Sequence, residues 1–434
     1  MSANLGILYV DLGQFKEAEA MYERALQCKE KAWGPDHAST LDTVNDLANL
    51  YKRQGQLKKA KAMYERALQG KEKALGPEHI STLDTINNFA VLYADQGQFK
   101  MAEAMYEQAL QGFEKALGPD YASTLDIVNN LANLYADLGH RKKAEAMYER
   151  VLQGFEKTWG PEHTSTLNTV NNLALLYADQ RQLKKAETMY KRALQGFEKA
   201  WGPDHTSTLD TVNNLANLYA SQGQFKIAKA MYERALQGKE KAWGLEHTST
   251  LDTITNLANL YISQGQYNKA EPICERALQG FEKAWGPDHT STLAIINSLA
   301  NLYAGQGQYN KAEAMYERAL QGFEKAWGSE HTSTLLTVNN LALLYKSQGH
   351  FKNAEAMYER ALRGYEKVLG KDGITTCIPF LNAVQNMGHL CAIQGQEIRA
   401  KELYTVALTG ARNVFGDSSG RVKELEHRVE GLSD

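Results

Sequence analysis

Cysteine is rare in this chain. Cys28, Cys274, Cys377 and Cys391 are all there are in 434 residues, and they stand at no metal-type spacing. That excludes a disulfide-stapled framework and suits a reduced, intracellular protein. Long apolar runs are missing too: the longest are about six residues, around Phe89 to Tyr93, against the roughly 20 that cross a bilayer. No excess of positive charge exists either. A net charge of −3 with 23% charged residues gives no basic face of the kind nucleic acid requires. The opening stretch MSANLGILYVDLGQF lacks the basic n-region and cleavage site of a secretory signal. No G-x-x-x-x-G-K-[ST] phosphate loop, serine elbow or cysteine–histidine arrangement appears. Nearly every polar residue recurs in many copies, whereas a catalytic site is singular. The expectations are therefore a cytoplasmic, non-catalytic protein with no cofactor, no metal, no nucleic acid and no membrane.

What the chain does have is repetition. From Ser165 it reads STLNTVNNLALLYADQRQLKKAETMYKRALQGFEKAWGPDHT, and the same 42-residue frame opens at Ser39, Ser81, Ser123, Ser207, Ser249, Ser291 and Ser333. A period of this length marks a solenoid. In each unit a first helix, A, carries apolar residues stepping by three and four: Val44, Leu47, Ala48, Leu50 and Tyr51. Ser39-Thr40-Leu41-Asp42 matches a capping box, and Gly55 supplies the left-handed stop. A second helix, B, shows Ala60, Met63, Tyr64, Ala67 and Leu68 and ends at Gly76-Pro77. Residues 1–415 should form about ten such hairpins, the first truncated and the last irregular from Thr375. Residues 416–434 should form a capping helix with Val422, Leu425, Val429 and Leu432 on one face.

The invariant columns read as packing. Ala60 and its equivalents suit a close helix crossing. All six Trp (33, 159, 201, 243, 285 and 327) fall in one column, where they should staple helix B to the next repeat as core residues. The histidine column at 37, 79, 163, 205, 247, 289 and 331 should cap or pack. A zinc ion needs ligands about 2 Å away, which one residue per repeat cannot supply. Glu65, Lys71 and Glu72 read as solvated-face charges.

The pattern Leu47-Ala48…Tyr51…Ala60…Tyr64…Ala67 resembles the tetratricopeptide consensus, and the 42-residue unit resembles the kinesin light chain type. TVNNLALLY at 169–177 and 337–345 is especially similar. The resemblance implies an all-α, right-handed superhelix whose A helices line the concave side. It also implies an interaction scaffold. Kinesin light chains carry a long heptad coiled coil, which this chain lacks. Similar near-identical arrays follow the nucleotide-binding domain of NLR-like (STAND) proteins, so the chain could be the sensing array of a larger signalling ATPase. A third reading is a structural solenoid joined end to end through a face near Leu5 and Leu8.

On the face of helix A opposite its apolar stripe stands a ladder of Asn. The columns include Asn45, Asn87, Asn129, Asn171 and Asn213, and then Asn49, Asn133, Asn217 and Asn259. Amides offer donors and acceptors to an extended peptide whatever its side chains, and the resemblance places bound peptides there. Asp95, Asp137 and Asp179 make one half of this groove acidic, so a neutral or basic protein or peptide partner is expected over an acidic one. The Asp42 column is assigned mainly to capping.

Overall fold

The computed structural model describes residues 2–11, 14–245, 247–417 and 419–432. Among these residues there are 21 helices and no strand. From residue 38 onward, 16-residue A helices such as Ala38–Arg53 alternate with 19-residue B helices such as Leu57–Leu75. The array begins with Ser2–Asp11 and Phe15–Trp33 and reaches Gly420–Glu430.

Local chemistry fixes the helix boundaries, though not by the expected capping box. The A helix begins at Ala38, and its N-cap is His37, whose Nδ1 accepts the Ser39 backbone N–H at 3.2 Å. His79, His163, His205, His247, His289 and His331 do the same in their own units. The Thr40 hydroxyl donates to the Gly34 carbonyl at 2.9 Å, tying the end of one B helix to the start of the next A helix. Asp42 turns away from the helix end to serve another partner, described below. At the A-helix stop Gly55 takes φ +69°, as Gly allows without a Cβ penalty.

Within a hairpin the helices close on small residues. Ala60 and Ala102 are 0% exposed, and Tyr64 fills the space beside them. At Gly70 a Cβ would lie 2.7 Å from Leu41, so the longer B helix approaches its partner only because a side chain is missing there. Consecutive A helices pack on one another along the stack, whereas each B helix rests chiefly on the A helices at either side. The stack therefore curves with A helices on the inner wall. On the outside, Arg66 reaches Glu30 at 2.5 Å, Arg150 reaches Glu114 at 2.6 Å, and Arg318 reaches Glu282 at 2.7 Å. These half-exposed pairs stitch each B helix to the preceding one, at about 0.2–1 kcal/mol each.

The tryptophan column does not lie in the core. Trp33, Trp159 and Trp201 are 56%, 39% and 42% exposed. Each ring covers the capping histidine of its own loop, with Trp201 and His205 centred 4.0 Å apart. Later in the column the tryptophans have a longer-range partner. The superhelix is wound so tightly that one turn touches the next. His289 bonds through Nε2 to the Arg53 carbonyl at 3.3 Å, across 236 residues or between five and six units. Trp285 meets Phe15 with ring centroids 6.4 Å apart, and Trp327 packs on the cluster around Leu57. His331 bonds to the backbone of Asp95. Further along, Arg141 donates to the Thr376 carbonyl at 3.0 Å, and the Arg181 guanidinium lies 5.4 Å from the Phe415 ring. Arg181 is the one non-glycine at positive φ among the described residues. In every contact a loop joining A to B in the first turn meets a loop joining B to the next A in the second.

The irregular last unit serves the same seam. The helix Phe351–Ile374 kinks at Gly370 (φ 66°) and continues for another turn. Its extra residues bring Gly373 and Thr376 against Leu138 and Gly139.

Two outcomes follow from the seam. Trp327→Ala should lower stability by about 2–3 kcal/mol and Trp159→Ala by about 1 kcal/mol, read from urea midpoints. Burial pushes His289 and His331 down to about 4 from the ordinary 6.5. Each neutral ring uses Nδ1 as a cap acceptor, so protonation opposes the contact. Their contribution should be complete above pH 6.5 and lost as pH falls towards 4. Tyr substitution at both histidines should flatten that pH dependence of the melting temperature.

Candidate partner-binding surface on the inner wall

The Asn ladder occupies the inner wall, and much of it is engaged within the chain. Asn130 donates to Asn87 at 3.1 Å, Asn172 to Asn129 at 3.4 Å and Asn256 to Asn213 at 3.3 Å. These bonds link adjacent A helices and offset the poor helix propensity of Asn. Asn45 and Asn213 are buried; Asn87, Asn129 and Asn171 are half-buried.

The next column is different. Asn49 accepts the Tyr64 hydroxyl at 2.6 Å, and Asn301 accepts the Tyr316 hydroxyl at 2.6 Å. Asn133 and Asn217 accept Tyr148 and Tyr232 in the same way. The tyrosine fixes the amide's orientation through its oxygen. The amide nitrogen of each then has no hydrogen-bond partner among the described residues. Asn133, Asn217 and Asn259 are exposed. In the Asn259 unit the buried Cys274 stands at the position other units give to tyrosine. Leu175 and Leu343 hold this column in other units and are 50% and 40% exposed, so the column faces the lumen. Along this column of the inner wall amides are thus interspersed with apolar side chains at Val91, Leu175 and Leu343.

Asp95, Asp137 and Asp179 end successive A helices beside the seam. A crevice there is lined by Lys52, Asp95, Asp137, Trp327 and His331. Asp137 is solvent-accessible on the concave wall, and desolvation by the protein around it, followed by the neighbouring Asp179 and Asp95, pushes it up to about 6. Burial raises Asp95 as well, opposed by Lys52 at 3.6 Å. Burial likewise raises Asp179, opposed by Arg141 and Arg181. Of the three, Asp137 is the one shifted by burial and by carboxylates alone.

The Asp42 column and Lys71 require correction. Lys71 is not a solvated charge: its side chain is 2% exposed, and Nζ reaches Asp42 at 2.7 Å and the Ser81 carbonyl at 3.2 Å. Asp42 also accepts the Ser81 hydroxyl of the next unit at 3.1 Å. Lys239 repeats the arrangement with Asp210, Ser249 and Thr253. Other units carry Phe here, such as Phe113 and Phe197. The visible signal was the change from QGFEK to QGKEK at a buried column.

No helix among the described residues is long and apolar enough to cross a membrane. No cluster of His, Cys, Asp and Glu among them could hold a metal ion.

The model of the tetratricopeptide repeat matches residues 1–73, 43–115, 81–157, 164–241, 249–325 and 294–367, and the chain belongs to that family. Its units are of the 42-residue kinesin light chain type. Similar solved structures include the nearly identical repeats of a putative kinesin light chain from Podosopora anserina. That match has 28% identity, covers 47% of this chain and 96% of the other, and has a TM-score of 0.39. Another is BtubC (BKLC) from P. vanneervenii, at 26% identity, 52% and 91% coverage and TM-score 0.43. A Rap protein complexed with Competence and Sporulation Factor shares the fold at 15% identity, 85% and 97% coverage and TM-score 0.57. No curated protein matches the sequence. Proteins of this family are generally non-catalytic scaffolds for protein interaction.

The buried lysines give a direct check. Lys239→Ala leaves a buried cavity beside the half-exposed Asp210, and should cost about 2–4 kcal/mol. Lys239→Phe, the residue of neighbouring units, should cost less than half of that in the same urea titration.

Proposed function

We propose that the chain is a scaffold holding an extended segment of a partner protein along its inner wall. The observation that carries this is the row of buttressed amides at Asn49, Asn133 and Asn217. Each is oriented by a tyrosine hydroxyl, and the three stand in every second unit, with Val91 and Leu175 at the same position between them. Their N–H groups suit peptide carbonyls, and Val91 and Leu175 between them, with Leu343 further along, suit apolar side chains. Asn45, Asn87, Asn129, Asn171 and Asn213 shape the floor, and Asn259 extends the row. Asp95, Asp137 and Asp179 favour a neutral or basic segment over an acidic one.

An unbiased library of displayed unstructured peptides provides the probe. Selected peptides should be neutral or basic. Asn133→Ala with Asn217→Ala should weaken them at least tenfold, about 1.4 kcal/mol, with helicity unchanged. Intact affinity, or selection of acidic peptides, would place binding elsewhere. For a basic peptide, affinity should fall as pH drops through about 6 and Asp137 gains its proton. Asp137→Asn should remove that step.

A further inference from the structure

The seam has two complementary sides, and each side also occurs bare on the same molecule. On the A-to-B side, Leu57 and Phe99 are 8% and 7% exposed under the second turn. In the second turn the same position is 38% and 36% exposed at Phe225 and Tyr309, and half-buried at Tyr267 and Phe351. The glycines agree. A Cβ at Gly55 or Gly97 would meet the ring of His289 or His331, whereas nothing lies within 4 Å at Gly223, Gly265, Gly307, Gly349 or Gly395. On the opposite side, Trp285 and Trp327 are half-buried against the first turn, while Trp159 and Trp201 stand exposed.

Charge follows the same division. Within the seam, Lys58 and Lys59 line a crevice with Asp288. The bare A-to-B edge carries Lys226 and Lys352, and the bare B-to-A edge carries Asp36, Asp120, Glu162 and Asp204, each paired with a lysine of its own chain as Asp288 is with Lys325 inside the seam. Trp-rich apolar patches bordered by charge mark protein interaction sites.

We infer that the occupant of these edges is a second copy of this chain, seated coaxially so that one molecule's bare Trp–His loops meet the other's bare glycine loops. The contact repeats between molecules what the chain already makes within itself. It joins unlike surfaces, so it is heterologous and does not close on two subunits. Assembly therefore proceeds to extended tubes. The inference stands independently of the peptide-binding reading.

Sedimentation velocity of the full chain over a concentration series tests this. The mean mass should rise at least about twofold with concentration, as an open heterologous contact requires. Trp159→Glu with Trp201→Glu removes one edge, and Phe225→Glu with Tyr309→Glu removes the other. Each double variant alone should stay monomeric with helicity unchanged. Their equimolar mixture should form dimers that grow no further, because each supplies the edge the other lacks. If either loses helicity, Tyr121→Lys and Ile227→Lys, at the exposed 53% and 45% positions, replace them. A wild-type chain that stays monomeric throughout would overturn the inference. So would growth that survives both edge changes, or growth abolished by Leu5→Asp with Leu8→Asp but not by the edge variants.

Discussion

A hydrogen bond between residues 236 apart, from His289 to Arg53, stands for the constraint on which the rest of the structure depends. Helical hairpins stacked through small residues curve of necessity, but curvature alone leaves an open spiral. Contact between turns fixes the pitch and closes the wall. It separates an inner surface of A helices from an outer surface of B helices joined by Arg–Glu pairs. It also decides which loops are covered and which are bare. The Trp–His loop can serve on either side of that division because its own hydrogen bonds, from Ser39 to His37 and from Thr40 to Gly34, complete it before anything docks on it.

The inner wall shows how a repeat can keep polar residues in the middle of helices. One Asn column bonds between neighbouring units, and another is fixed by tyrosine hydroxyls from the B helix. The amide oxygen is satisfied locally in the tyrosine-held column and at Asn87, Asn129 and Asn213, whereas Oδ1 of Asn45 and of Asn171 is buried without a partner among the described residues. The consequence for recognition is orientation. A donor held by a buried tyrosine pays little rotamer entropy on binding. Apolar residues in the same column then vary the surface unit by unit on an unchanged frame.

Period, hairpin count, helix stops and the alanine crossings were legible in the sequence, because each is encoded within one unit. Other features were legible in the wrong terms. Ser39-x-x-Asp42 has the form of a capping box, yet His37 lies one residue before the helix and its ring reaches the backbone first. Asp42 is then drawn to Lys71, whose burial shows only when the QGKEK variants are set against the buried Phe of other units. The tryptophans pointed to a packing role, but the surface that Trp285 and Trp327 serve lies between five and six units away, and Trp33, Trp159 and Trp201 stand exposed. Pitch sums small rotations over many repeats, and no local pattern states it. The inner-wall Asn residues were identifiable as a surface column. Their division into inter-helix bonds and tyrosine-held donors required side-chain geometry.

The central claim is that the two turns of this solenoid are in contact. Spin labels at Lys58 and Asp288, which line one crevice across the seam, measure it most directly by pulsed dipolar spectroscopy on dilute, monomeric chain. The account predicts a single narrow distribution at short distance, broadened and lengthened by Trp327→Ala. A broad distribution at long distance in the unsubstituted chain would mean an open spiral and would contradict it.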